Sequence, residues 1–202
     1  GLGNQFLDEL RRASVLIHVV DTAGATDAEG VVVPAGTHDP VEDVRFLEAE
    51  IEAWFLDIFQ RSWDKVSRKV QYEGKDFVKY FEEMYVGIGF QARDIIKAVG
   101  DAAVNPEKPH DWSKEDLARF TGALRRVSKP IIIAANKTDV EQVAENIKRL
   151  REAFPESLVI PTSSMGEYVL RKLAEEGAIR YLPGDRGYEV LDASKISERQ
   201  QK

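Results

Sequence analysis

The chain has 202 residues, 43% apolar and 31% charged, with a formal charge of −7 and no cysteine. That balance suits a globular chain with one sizeable core or a domain carrying an insertion; no apolar run approaches the about 20 residues of a membrane span, and disulfides and cysteine-ligated zinc are excluded. The acidic excess argues against a protein that coats nucleic acid over its whole surface, no DNA partner is expected, and the lack of cysteine fits a reducing cytoplasm.

In chain order, Val15 to Asp21 is a nearly continuous apolar run rich in β-branched residues, which predicts a buried parallel strand. Asp39-Pro40 then predicts a helix start, because Asp can cap and proline is tolerated at the first helical position. Val44, Leu47, Ile51, Trp54, Phe55 and Ile58 continue it as an apolar stripe. Further helical patterns carry Phe77, Tyr80, Phe81 and Met84, then Ile95, Ile96 and Val99, before a break at Asn105 to Pro109. Ser113 to Asp116 resembles a capping box ahead of Leu117, Phe120, Leu124 and Val127. Pro130 to Ala135 and Leu158 to Ile160 predict two more strands, with helices around Val143, Ile147 and Leu150, and around Leu170 and Leu173 up to a stop at Gly177. Strand–helix alternation of this kind implies an α/β layer with a parallel sheet. The expected division is a first α/β part at 1–40, a helical insertion at 41–112 read as an antiparallel hairpin, a second α/β part at 113–190 and a polar, frayed tail at 191–202.

Asn136-Lys137-Thr138-Asp139 stands at the carboxyl end of the strongest predicted strand, where open α/β sheets bind ligands. A carboxylate at Asp139 can accept two parallel hydrogen bonds from the N1–H and 2-amino group of guanine. Adenine has no 2-amino group and offers a lone pair at N1, so it leaves that carboxylate unpaired and is rejected. Asn136 can bridge neighbouring loops and reach N7, and the methylenes of Lys137 can cover one face of the base. Pro161-Thr162-Ser163-Ser164 follows the next strand and can offer a backbone N–H to the 6-oxo group, with Ser163 and Ser164 supporting the site. Alone, either tetrapeptide is ordinary turn or cap chemistry; together, in this order, they point to GTP or GDP.

No Gly-x-x-x-x-Gly-Lys-[Ser/Thr] occurs in the chain, so the amide cradle and lysine that hold β- and γ-phosphates are not supplied by it. Asp21-Thr22-Ala23-Gly24 matches the Asp-x-x-Gly pattern that supports magnesium, but it lies too far from Asn136 and no phosphate loop precedes it. A strand-end aspartate that opens a loop is the preferred reading.

Several segments then resemble the YchF (Obg-like) family of GTPases, most closely its archaeal members. Gly1 to Arg11 resembles the helix after the second switch, Leu16 to Asp21 the next strand, and His38 to Val44 the entry to the family's helical insertion. Ala134 to Asp139, Pro161 to Ser163 and Arg180 to Gly184 follow in the expected order. The resemblance implies an incomplete P-loop GTPase domain, Rossmann-like with a parallel sheet and a coiled-coil-like helical insertion. It also implies GTP hydrolysis in the complete protein and a link to ribosomes. The phosphate loop, first switch and magnesium aspartate are then expected upstream of Gly1, so Mg2+ enters only with that part, and a TGS domain is expected beyond Lys202. Some eukaryotic relatives alter the base motif and prefer ATP; Asn136, Lys137 and Asp139 favour GTP here. Without the strand that leads to a phosphate loop, the Val15–Val20 strand is expected to be an exposed apolar edge.

Arg61, Lys65, Arg68, Lys69, Lys75 and Lys79 cluster near the presumed hairpin tip. A solvated face balanced by Asp64, Glu73 and Asp76 is preferred to contact with ribosomal RNA. Trp54, Phe55, Phe59 and Trp63 read as hairpin core, and His18, His38 and His110 as structural. The competing account is a non-catalytic module whose hairpin docks on a ribosome or protein partner.

Overall fold

The computed structural model describes residues 9–10, 13–140 and 143–197. Of the segment that resembles a post-switch helix, only Glu9 and Leu10 are described, and both are helical; the remainder lies outside the described residues, as do residues 198–202 of the expected tail. The three predicted strands form as β1 (Leu16–Asp21), β2 (Ile131–Asn136) and β3 (Leu158–Pro161). They make one parallel sheet in the order β1-β2-β3, so the α/β reading holds. Val20, Ile131, Ile133, Ala135 and Val159 are buried by period-two alternation. Ile17, Val19, Leu158 and Ile160 alternate with them and are exposed, at 66%, 60%, 59% and 40%. β1 is an edge strand with Ile17 and Val19 in solvent, as expected from the sequence, while Val20 faces the core.

The chain divides into two compact units: Gly1–His18 with Glu42–Ile133 and Glu156–Leu158, and Val19–Val41 with Ala134–Pro155 and Val159–Lys202. The first unit is dominated by helices. α1 (Pro40–Gln71) is a single helix of 32 residues, and its first turn is fixed by Asp39, whose carboxylate accepts from the Val41 amide at 3.0 Å. α2 (Phe77–Met84), α3 (Ala92–Ala102) and α4 (Lys114–Ser128) follow. Ser113 and Asp116 form the reciprocal cap of α4, at 3.0 and 2.8 Å. The buried face of α3 is Ile95, Ala98 and Ala102, while Ile96 points to solvent, because the helix turns it away from the neighbouring apolar position.

Phe55 and Phe59 are fully buried. Phe59, Phe77, Phe81, Phe90, Phe120 and Tyr85 then form a continuous network of ring contacts, for example Phe59–Phe81 at 5.2 Å and Phe81–Phe120 at 5.3 Å. Trp63 packs against Trp112 with ring centroids 5.0 Å apart, so the aromatic run of α1 serves as core. Arg125 is 4% exposed and bonds Glu52 at 2.9 Å and Glu48 at 3.3 Å. Lys129 donates to the carbonyls of Ala13 and Ile88, and burial pushes its pKa down against the attraction of Asp94. Three of the six clustered cations are paired along the chain: Arg61 with Asp57, Arg68 with Asp64 and Lys69 with Glu73. Asp76 instead caps α2 by accepting from the Lys79 amide.

In the second unit α5 (Val143–Ala153) buries Val143, Ile147 and Leu150, and α6 (Ser164–Glu175) ends as predicted at Gly177, which adopts φ +68°. Beyond it lies a short antiparallel pair, β4 (Ile179–Arg180) and β5 (Glu189–Val190), that sequence periodicity did not suggest. The start of the expected frayed tail is fastened to this ribbon. The amides of Leu191 and Asp192 both donate to Ala178, and Lys195 donates to the Glu176 carbonyl. Burial of Leu173, Ala178 and Ile179 against Val169, Leu170, Tyr181 and Ile196 supplies the apolar reason. No helix among the described residues is long and apolar enough to cross a membrane.

Candidate functional site

The β-branched run of β2 stops at Asn136, and the next residue turns the chain sharply: Lys137 adopts φ +68°, a left-handed conformation uncommon for a side chain of its size. The turn is held by a set of bonds from the neighbouring loop. Thr162 donates its amide to the Ala135 carbonyl at 2.9 Å, and its own carbonyl accepts both the amide and the hydroxyl of Thr138, at 3.1 and 2.9 Å. On the other side, the Thr22 amide donates to the Asn136 carbonyl at 3.1 Å.

The five residues singled out in the sequence are brought together here. The Asn136 side-chain oxygen accepts from the amide of Ser164 at 2.9 Å and its hydroxyl at 3.1 Å, so it bridges two loops. Ser163 donates its hydroxyl to Asp139 and accepts from the Gly166 amide at 2.9 Å, thereby capping α6. A Cβ at position 166 would stand 2.9 Å from that hydroxyl, so glycine keeps the cap open. Asp139 and Ser164 are exposed, while Asn136, Lys137 and Ser163 are half-buried.

One member of the cluster has a different part from the one weighed in the sequence. Both oxygens of Asp21 already accept from the chain itself. Oδ1 takes the Ala23 amide at 3.1 Å; Oδ2 takes the Ala25 amide at 3.1 Å, the Thr26 hydroxyl at 2.9 Å and the Lys137 ammonium at 2.9 Å. Burial works to raise the Asp21 pKa, but Lys137, Thr26 and the Ala25 amide outweigh it and hold the carboxyl below its usual range. The Asp21–Lys137 pair spans 116 positions, which no local pattern signals. The adjoining loop is tied down by Asn146, which donates to the Thr22 carbonyl at 2.9 Å, and by an ion pair of Arg149 with Asp39.

Residues 134–202 match the family described as the G4 motif-containing domain of YGR210-like, Obg-like GTPases. Over 199 residues the chain is 42% identical to the Methanocaldococcus jannaschii protein named "Uncharacterized GTP-binding protein MJ1332", covering 98% of this chain and 49% of that protein. It is 44% identical to the crystal structure titled as a GTP binding protein from Pyrococcus horikoshii OT3, with a TM-score of 0.76 over 88% of this chain and 51% of that one. A Bacillus subtilis protein named "Ribosome-binding ATPase YchF" is 24% identical over 159 residues, 75% of this chain and 39% of that protein. The chain thus spans about half the length of the two archaeal relatives. With the base-motif loop at the end of β2, the loop after β3 packed against it, and GTP-binding relatives along nearly its whole length, residues 134–202 are the G4 motif-containing domain of the Obg-like GTPases.

Proposed function

We propose that this chain supplies the guanine-selecting part of a GTP/GDP site. The observation that supports it is the bonding of the Asn136–Asp139 loop to Ser163 and Ser164, which holds the exposed Asp139 carboxylate at the carboxyl end of the sheet. In this reading Asp139 accepts the N1–H and 2-amino protons of guanine and Ser163 fixes its orientation. Asn136 holds the two loops together near N7, Ser164 completes the loop toward the 6-oxo group, and the Lys137 stem covers one face of the ring. Such preorganisation lowers the ordering cost of binding.

The remaining parts of the proposal concern the whole protein. Phosphates, Mg2+ and hydrolysis belong to residues outside these 202, since the chain contains no phosphate-loop motif. Segments 1–40 and 113–190 then form one interrupted GTPase domain around the helical insertion at 41–112. A cytoplasmic, ribosome-associated role draws support from the name of the Bacillus subtilis relative alone.

Thermal melting tests the base assignment, because a ligand that binds the folded state raises the transition. GTP and GDP at about 1 mM, well above the affinity expected of many nucleotide sites, raise the melting temperature, and ATP at the same concentration does so less. An equal shift with ATP overturns guanine selection. If ribosomes retain the chain while neither guanine nucleotide shifts it, the docking-module account replaces this one.

A further inference from the structure

Lys137 faces two difficulties if its stem is to lie under a purine. A lysine side chain has four rotatable bonds, and freezing them costs conformational entropy. Its ammonium group also prefers bulk water to the edge of a base. The structure answers both with one contact: the Asp21 carboxylate receives Lys137 Nζ at 2.9 Å. Asp21 is itself immobilised. Its side chain is 14% exposed and fixed by the amides of Ala23 and Ala25 and by the Thr26 hydroxyl, whereas Lys137 is 41% exposed. A rigid anion at the end of β1 thus anchors the far end of a flexible cation whose near end is fixed by the left-handed turn after β2.

We infer that Asp21 is a positioning residue for base recognition: by anchoring the Lys137 ammonium it lays the lysine stem out as a preformed apolar platform for the guanine ring. This rests on the guanine reading above and adds to it a residue from a separate strand. The loop 22–38 shares the anchor, since the same carboxylate closes its first turn, and the Gly24 carbonyl and Ala23 carbonyl receive the amides of His38 and Gly36. Asp21 therefore acts through Lys137 and touches no ligand.

The test uses guanosine and adenosine, which carry no phosphate for the ammonium to meet, titrated into the 202-residue chain and followed by backbone amide shifts at 136–139 and 162–164. Wild type prefers guanosine. Asp21→Asn lowers guanosine affinity about fivefold, the scale of one lost tether. Lys137→Met, which keeps a hydrocarbon stem of similar length but has no cation to anchor, lowers it by about the same factor. In the double variant the losses do not multiply, because each removes the same contact. The Lys137 NζH3 resonance, slowed in exchange in wild type, is lost in Asp21→Asn. Two independent losses that multiply, or a Lys137→Met chain that binds guanosine like wild type, overturn the inference and leave the guanine assignment standing. The second of these is decisive even if Asp21→Asn fails to fold, since the Lys137 side chain is half in solvent. A wild-type chain that binds adenosine as well as guanosine overturns the guanine assignment, and the positioning role with it.

Discussion

The two compact units are held together by different means. In the first, large rings pack against one another and the few buried charges, Arg125 and Lys129, are satisfied by Glu52, Glu48 and main-chain carbonyls. In the second, the buried apolar side chains are aliphatic, Val20, Ile147, Leu150, Leu173 and Ile179 among them, and the loops around Asn136 are joined by hydrogen bonds. Apolar packing contributes most of the stabilisation but fixes orientation loosely. Short polar contacts contribute little net free energy each, yet they hold a carboxylate or an ammonium in one direction. The contrast separates what keeps the chain folded from what shapes its site.

Substitutions in the two regions should therefore read out differently. The largest effect on stability is expected from Phe81→Ala, which removes a fully buried ring touching Phe59, Phe77, Tyr85, Phe90 and Phe120. Chemical denaturation should show a loss of about 3–5 kcal/mol. A loss below about 1 kcal/mol, the range of ordinary surface changes, would mean that the ring network is not the core it resembles.

Next is Gly24→Ala. Gly24 adopts φ +57°, and an added Cβ would stand 2.1 Å from the His38 carbonyl oxygen, which is main chain and cannot swing away. Left-handed strain and displacement of that carbonyl should together cost about 2 kcal/mol. The same variant should disturb amide shifts around Asp21 and Lys137 more than those around Phe81. Uniform changes through both regions would mean that the polar loops and the ring core do not respond separately.

The smallest effect is the pH dependence from His18. Burial lowers its pKa from 6.5, with Asp43 opposing, so the folded chain binds its proton less readily than the unfolded chain does. Stability from the neutral ring is then complete above about pH 6.5 and erodes as the pH falls below it. The melting temperature should drop by about 2 °C between pH 7.5 and 5.5, and His18→Phe should flatten that slope. An unchanged slope would assign the acid sensitivity to other groups.

Much of this organisation was legible in the sequence, for identifiable reasons. β1 and β2 announced themselves because both carry runs of β-branched residues bounded by polar ones, and the Ser113–Asp116 box because its chemistry is local. The Asn136–Asp139 and Ser163–Ser164 loops stand out as motifs because their residue types, in that order, match what the proposed guanine recognition asks for. The Asp21–Lys137 pair does not, since two residues so far apart meet only when β1 and β2 lie side by side. β4 and β5 were missed because two-residue strands have no periodicity to read, and their bonds to Leu191 and Asp192 altered the expected tail. The sequence places six cations near a presumed hairpin tip and a balanced face among nearby acids; four of the six lie on α1, and the structure shows Arg61, Arg68 and Lys69 each matched with an acid four residues away.

If Asp139 chooses the base, exchanging its carboxylate for an amide changes which base is chosen. Asp139→Asn replaces one acceptor by a donor; xanthine replaces the 2-amino group of guanine by a 2-oxo group, so the new amide can pair with it while the old carboxylate cannot. Binding of guanosine and xanthosine to both chains is to be measured side by side. Wild type is expected to favour guanosine and Asp139→Asn to favour xanthosine, each by about tenfold or more. A variant that weakens both nucleosides equally, with no reversal of preference, would contradict it.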